Sequence, residues 1–67
     1  MLSARNQFAG TVKSVKLGTV MAEVVVAVGA LEFVAVITRA SADAMKLKIG
    51  DEVKAVVKAT EVMVAKE

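Results

Sequence analysis

The length, composition and charge of this chain exclude several classes of protein. It has 67 residues, and nine lysine and arginine residues against seven acidic ones give a net charge of +2. A chain this short forms at most one domain, whose core is marginal unless it is shared with other copies. Cysteine and histidine are absent, which excludes a disulfide framework and the usual zinc and iron sites. Hydrophobic residues make up 57% of the chain, more than one small monomer can bury, and this excess predicts a subunit interface.

The first half of the chain predicts three strands. Residues 8–17 are rich in β-branched residues with charges interspersed, and Gly10 among them marks a bulge or a close backbone approach. Residues 20–28 form a second strand whose poor alternation predicts burial on both faces. A turn at Gly29-Ala30 leads into a third strand at residues 31–38. Both faces of this third strand are largely apolar, as expected of a strand that meets both a core and a neighbouring subunit.

The second half predicts a helical turn and two further strands. Residues 39–45 contain helix formers and no β-branched residue, and they predict a single helical turn with Ser41 as its N-cap. The turn signal Gly50-Asp51 precedes a clearly alternating strand at residues 52–58, and a short fifth strand is predicted at residues 62–64. Five strands with a helical turn between the third and the fourth predict an all-β fold, a small Greek-key barrel of the OB type. We expect residues 1–67 to form a single domain.

The inventory of reactive side chains argues against an enzyme. The seven carboxylates are scattered along the chain. Asp43 and Asp51 could be imagined as an acid and base pair, but no nucleophile or metal site accompanies them. The four glycines are isolated from one another, so the sequence has no phosphate-binding loop.

No segment of the sequence predicts a membrane partner or an export signal. The apolar stretch that contains Val24–Ala30 is too short to cross a bilayer. Met1-Leu2 leads directly into polar residues, without the basic and apolar regions of a leader peptide. We therefore expect a cytoplasmic protein.

A role in binding single-stranded nucleic acid is the main alternative that an OB-type barrel leaves open. Such binding depends on exposed aromatic side chains that stack on bases and on a concentrated positive charge. The chain has only two aromatic residues, Phe8 and Phe33, and the second shares a face with other apolar residues. We expect no nucleic-acid partner, although this class stays the alternative.

One set of polar residues contains hydrogen-bond donors and no carboxylate. The segment Ser3-Ala4-Arg5-Asn6-Gln7 precedes the first strand, and Thr38, Ser41 and Lys58 lie at the ends of later elements. Arginine supplies a planar fork for two oxygens of one anion, and lysine supplies a compact point charge. These residue types suit an anion, although each position could also be ordinary solvated surface.

An ordered series of short motifs resembles the Mop (molybdate-binding) domain over nearly the whole chain. The motifs are Ser3-Ala4-Arg5-Asn6-Gln7, Gly10-Thr11-Val12, Ile37-Thr38 with Ser41-Ala42, Gly50-Asp51-Glu52-Val53 and Val57-Lys58-Ala59. A single copy of this domain resembles a molbindin. The resemblance implies an OB-like barrel with strand exchange between subunits and a hexamer built as a trimer of dimers. It also implies binding of molybdate or tungstate at subunit interfaces, for intracellular storage or homeostasis.

The resemblance also implies a set of oxyanion ligands. By motif, Ser3, Arg5 and Lys58 would contact the oxyanion directly, and Thr38 and Ser41 would add hydroxyl or amide donors. The resemblance gives less support to Asn6 and to the backbone at Ala4 and Ala59 as ligands, and it assigns no role to Thr60. The family also occurs fused to regulators and transport ATPases, but the sequence contains neither a helix-turn-helix nor a P-loop, so we expect neither role.

The chemistry of the ligand agrees with a set of donors that lacks a carboxylate. Molybdate is a tetrahedral dianion at neutral pH, and its oxygens only accept hydrogen bonds. Hydrogen phosphate carries an O–H that needs an acceptor, so this set suits it poorly. Sulfate is also fully deprotonated, and charge alone does not exclude it. A purely structural oligomerisation module is a third possibility that the residues leave open.

Overall fold

The computed structural model describes residues 6–66. Four strands, one α-helix and one 3-10 turn follow one another along these residues. In chain order they are β1 (Asn6–Leu17), β2 (Met21–Val28), β3 (Leu31–Thr38), α1 (Arg39–Met45), β4 (Glu52–Val57) and the 3-10 turn Ala59–Glu61. The all-β class with one short helix is confirmed, and the four strands lie within one or two residues of their predicted bounds.

The four strands form one antiparallel sheet in the order β3-β2-β1-β4. Three strands joined by short turns and a fourth that returns to lie beside the first are a Greek key. The first half of β1 pairs with β4 and its second half pairs with β2, so β1 joins the two halves of the sheet. Because β1 and β3 are both antiparallel to β2, they run in one direction, and β4 runs in the opposite direction.

The core lies on one face of this curled sheet. Val12 of β1 and Val24 and Val26 of β2 are buried together, and half-buried side chains of β3 and β4 pack against them. The burial of β2 on both faces, which its poor alternation predicted, is not found within one chain. The outward residues Met21 and Glu23 are exposed, and Val25 is half-buried.

Gly10 marks a close backbone approach, one of the two alternatives predicted from sequence. A Cβ atom at this position would lie 2.5 Å from the carbonyl oxygen of Ala27 and 2.8 Å from methyl groups of Val26 and Val28. Real Cβ atoms do not approach other atoms this closely, so only glycine fits here. The bulge in β1 lies farther along the strand, between Val12 and Ser14.

The helix α1 is longer than the predicted single turn and is capped by a different residue. It spans seven residues, about two turns. Its N-cap is Thr38, whose side chain accepts a hydrogen bond from the backbone N–H of Ser41. The prediction that Ser41 is the cap is therefore wrong, because the last residue of β3 already has the extended backbone that an N-cap requires. The helix ends at Lys46, which has a left-handed backbone with φ 52°.

The predicted fifth strand is not formed within this chain, and the described residues contain four strands instead of five. The backbone N–H of Val62 closes the 3-10 turn by donating to the carbonyl of Ala59. The apolar side chains of Met63 and Val64 that follow are both 93% exposed. A strand needs a partner, and residues 62–66 join no ladder in this sheet.

An apolar groove occupies the side where the sheet is not closed. The sheet has no β3–β4 pairing, so β3 and β4 are its edges. Between them lies a groove of about 310 Å³, with Val24 and Val26 at its base and with Phe33, Val53 and Ala55 along its walls. This groove exposes core side chains that a closed barrel would cover.

Among residues 6–66, no helix has the length and apolar character that a bilayer crossing requires.

Candidate functional site

The most ordered part of the predicted ligand set is a pair of hydroxyl groups where β3 passes into α1. Thr38 Oγ1 donates to Ser41 Oγ over 2.8 Å and accepts from the Ser41 backbone N–H over 3.1 Å. Both residues are exposed. The capping bond and the bond between the hydroxyl groups together link the two side chains at the start of α1.

A second group of contacts attaches this junction to the rest of the sheet. Arg39 follows Thr38, and its backbone N–H donates to the carbonyl of Val20 over 2.7 Å. Its Nη1 donates to the carbonyl of Gly18 over 3.0 Å, and its Nε donates to both carboxylate oxygens of Asp43 at 3.1 and 3.2 Å. The junction is therefore connected to the turn between β1 and β2 and to the end of its own helix.

The remaining described members of the set lie where β1 begins and β4 ends. Asn6, the first residue of β1, pairs with Val57, the last residue of β4. Lys58 follows Val57, so it is a near neighbour of Asn6, and it is exposed. The structure gives Lys58 as the N-cap of the 3-10 turn with no capping hydrogen bond from its side chain. Ala59 is the first residue of that turn.

The two groups lie at opposite ends of the sheet. Asn6 begins β1 and Lys58 follows the end of β4, which places both at the end where β3 starts. Thr38 lies where β3 stops and is paired with Met21 at the start of β2. Along β1 this separation spans twelve residues. One chain therefore does not bring all five described positions together, and the predicted positions Ser3, Ala4 and Arg5 lie outside the described residues.

The chemistry of the described positions is that of hydrogen-bond donors. The nearest carboxylate on the same element, that of Asp43, is engaged by Arg39. Within residues 6–66 there is no group of three or more acidic side chains that could hold a metal ion. Hydroxyl, amide and ammonium groups of this kind suit an anion whose oxygens accept hydrogen bonds.

The sequence reasoning did not identify Arg39 and Asp43 as part of this region. Their spacing of four residues within a helical stretch is the usual signature of an ion pair on one helix face, and it could have revealed the pair. The bond from Arg39 to Gly18 crosses 21 positions of the sequence. No short sequence pattern indicates a bond between residues this far apart in the chain.

The two aromatic residues do not form an open platform for bases. The rings of Phe8 and Phe33 stack on each other with centroids 5.2 Å apart and an angle of 28° between their planes. Phe33 also packs against the core, as predicted, and Phe8 is 38% exposed. Each ring therefore already has one face covered by the other ring.

Comparison with known sequences gives one family and several close relatives. A family model described as the TOBE domain matches residues 2–64. Molybdenum-pterin-binding protein 2 of Clostridium pasteurianum is 42% identical over 64 residues, covering 94% of this chain and 94% of that protein. The molybdenum transport protein ModE of Azotobacter vinelandii is 50% identical over 66 residues, covering 97% of this chain. The chain spans only 24% of the length of that ModE protein and 23% of the ModE protein of Herbaspirillum seropedicae.

Comparison with solved structures finds the same fold at high identity. A molybdate-binding protein from Sporomusa ovata has a TM-score of 0.94 and 45% identity, over 98% of each chain. MopII from Clostridium pasteurianum has a TM-score of 0.92 and 40% identity, over 98% of this chain and 100% of that one. The cytoplasmic molybdate-binding protein ModG, solved with molybdate bound, has a TM-score of 0.82 and 40% identity, over 88% of this chain and 43% of that one.

Proposed function

Because this chain belongs to the TOBE domain family, we propose that it binds molybdate or tungstate as an oxyanion and that it is of the single-domain Mop type, a molbindin. We propose storage or homeostasis of the anion in the cytoplasm as its role, and not catalysis. The relatives described above have names that refer to molybdenum or to molybdate binding. One of them, ModG, is described as cytoplasmic.

The observation that carries this proposal is the hydroxyl pair of Thr38 and Ser41. The two hydroxyl oxygens lie 2.8 Å apart and are joined by a hydrogen bond of their own. The carboxylate of Asp43 on the same helix is bound to a guanidinium and is not left to repel an anion. Groups that are ordered in advance bind with a smaller entropic cost than groups that a ligand must order.

We propose that the complete oxyanion site lies between subunits. Thr38 and Ser41 would come from one subunit, and Asn6, Lys58 and Ala59 would come from another, together with Ser3, Ala4 and Arg5 of its N-terminal segment. The support for this division is the placement of the two described groups at opposite ends of one sheet. Two cations from the second subunit would then meet two fixed hydroxyl groups from the first.

We propose further that the chain is a homo-oligomer with strand exchange, a hexamer built as a trimer of dimers. The exposed segment Val62–Val64 of one copy would enter the groove between β3 and β4 of another and supply the missing fifth strand. The outward side chains of Val34 and Val36 on β3 are 64% and 62% exposed, and they form a second apolar surface away from the groove. An assembly larger than a dimer needs two such surfaces.

Isothermal titration tests the ligand directly. Molybdate, tungstate, sulfate and a short single-stranded oligonucleotide would each be added to the purified protein at one ionic strength. We expect saturable heat with molybdate and tungstate and none with the oligonucleotide. Heat with the oligonucleotide and none with either metal oxyanion would overturn the proposal.

Sedimentation velocity tests the assembly on the same sample. We expect one oligomeric species at micromolar concentration, whose stability against dilution increases when molybdate is added, because a ligand that binds only the assembled form stabilises it. A monomer that stays stable at micromolar concentration would contradict the proposed subunit interface.

A further inference from the structure

The sequence contains two arginines, Arg5 and Arg39, and the second one faces the protein. Arg39 adjoins Thr38 in the chain and lies two residues before Ser41. Its Nε donates to both oxygens of Asp43, and its Nη1 donates to the carbonyl of Gly18. The three donor–acceptor distances of these bonds lie between 3.0 and 3.2 Å, within the normal range of hydrogen bonds.

These bonds join three parts of the molecule that no single strand joins. Gly18 belongs to the turn between β1 and β2, and Asp43 lies in the second half of α1. Arg39 itself is the first helical residue after β3. The angle at which α1 leaves the sheet is held by the guanidinium contacts together with the bond from the Arg39 backbone N–H to the carbonyl of Val20 and the burial of Ala42. That angle sets the position of Ser41, three residues into the junction.

We infer that Arg39 is a positioning residue for the oxyanion site and not one of its ligands. Its guanidinium contacts hold the start of α1 against the sheet and so fix the Ser41 hydroxyl, which accepts from Thr38 and keeps its own proton for an oxygen of the anion. This inference rests on the proposed function, since it assigns a task within that site. A site that is 1 Å too loose loses much of its affinity, so the residues that support the ligands matter as well as the ligands.

Simple attraction between the Arg39 charge and the anion is the competing explanation. The two explanations differ in their predictions for two substitutions. Arg39→Lys keeps the positive charge but loses the planar fork, so attraction predicts unchanged affinity and positioning predicts weaker binding. Asp43→Ala removes a negative charge near the site, so attraction predicts tighter binding, whereas positioning predicts weaker binding because the fork loses its anchor.

The experiment compares these two variants with the wild type and with Lys48→Ala. The control removes one exposed cation a few residues beyond α1 and leaves the fork unchanged. Molybdate affinity would be measured by isothermal titration, assembly by sedimentation, and the protection of the Ser41 amide by hydrogen exchange in the absence of the anion. The Ser41 amide is informative because it donates to Thr38 Oγ1.

We expect Arg39→Lys to weaken molybdate binding about fivefold, the equivalent of one ordinary hydrogen bond. Asp43→Ala should weaken binding by a smaller factor, since the bond to Gly18 remains. Both variants should keep the oligomer and expose the Ser41 amide to faster exchange, and Lys48→Ala should match the wild type in all three measurements.

Affinity equal to wild type in both variants, or tighter binding by Asp43→Ala, would overturn the inference. Should Arg39→Lys fail to fold, Asp43→Ala still decides, because its exposed position tolerates substitution and the sign of its effect separates the explanations. A wild type that gives no molybdate heat overturns the proposed function and this inference with it, whereas a binding wild type with unaffected variants overturns only the inference.

Discussion

At the end of the sheet that carries Thr38, side-chain hydrogen bonds within one chain link the polar groups, whereas the end that carries Lys58 presents an exposed positive charge. Thr38 and Ser41 are bonded to each other through side chain and backbone, and Arg39 is bonded to Asp43, Gly18 and Val20. The backbone carbonyl of Lys58 accepts from the Glu61 N–H over 2.9 Å, and its side chain extends an ammonium group from an exposed residue. The end with Thr38 therefore supplies hydroxyl groups in a defined arrangement, and the end with Lys58 supplies a positive charge that attracts an anion.

This difference shows how a short chain can hold an oxyanion. A fixed pair of hydroxyl groups selects shape but binds weakly, because neutral hydrogen bonds contribute little net free energy in water. A lysine attracts strongly but selects little, because its ammonium is a flexible point charge. A site that joins the Thr38 end of one subunit to the Lys58 end of another would combine selectivity with attraction. The substitutions below test these two properties one at a time.

Gly10→Ala should have the largest effect, because it disrupts the strand that joins the two ends. The added Cβ would collide with the Ala27 carbonyl at 2.5 Å, and overpacking against a strand backbone costs about 3 kcal/mol or more. We expect loss of the folded oligomer in circular dichroism and sedimentation. The same substitution at Gly18 offers a comparison, because a Cβ there would also make a close approach, but in a turn. A Gly10→Ala protein that folds and melts like the wild type would contradict the close approach at Gly10.

Lys58→Ala should abolish most of the attraction while leaving the fold intact. A charge-assisted hydrogen bond contributes roughly 1.5–3 kcal/mol, so molybdate affinity should fall roughly tenfold to a hundredfold. Lys54→Ala is the matched control, since it removes an exposed lysine from the neighbouring β4. Equal losses of affinity in both variants would mean that only total charge matters, and that Lys58 has no specific place in the site.

Thr38→Val should affect geometry and stability together. It removes the N-cap of α1, which costs about 1 kcal/mol of unfolding free energy, and it removes one hydroxyl of the pair. Ser41→Ala is its counterpart, because the backbone N–H that the cap accepts from remains. We expect both variants to bind molybdate about fivefold to tenfold less tightly, but only Thr38→Val should lower the melting temperature. A Ser41→Ala protein that melts as early as Thr38→Val would show that the capping assignment is wrong.

Lys46→Gly should have the smallest effect, and it should act on stability alone. Lys46 ends α1 with φ 52°, a conformation that glycine adopts without the steric cost that other residues incur. We expect a gain of about 0.5–1 kcal/mol in unfolding free energy, measured by denaturant titration, with molybdate affinity unchanged. A loss of affinity would place this charge in the site, contrary to the arrangement proposed above.

Much of the fold was predictable from sequence because its signals are local. The strand at residues 31–38 and the turns at Gly29 and Gly50 follow from alternation and from turn residues, and the structure confirms them. The missing fifth strand and the one-sided burial of β2 were not predictable in this way. Both expectations require a partner for surface that one chain leaves uncovered. The pattern of residues predicts such a partner but does not tell which chain supplies it.

The same distinction between local signals and long-range contacts applies to the candidate site. Thr38 and Ser41 were both named in the predicted ligand set and are found bonded to each other, but the sequence did not assign the cap correctly, because that depends on where β3 ends. The placement of Asn6 and Lys58 side by side depends on the pairing of β1 with β4, a long-range contact. The supporting bond from Arg39 to Gly18 depends on the pairing of β2 with β3, which places Thr38 opposite Met21, and no local pattern encodes it.

The unclosed side of the sheet also determines how this protein should fold. A newly made chain presents two strand edges and an apolar groove, and such edges can pair with any available strand. Glu32 on β3 and the exposed Glu52 and Lys54 on β4 place charges near these edges, which discourages pairing with a wrong partner. If closure of the groove is contributed by a second copy, its completion is a second-order process. The half-time of refolding should then shorten as protein concentration rises, until unimolecular steps become limiting.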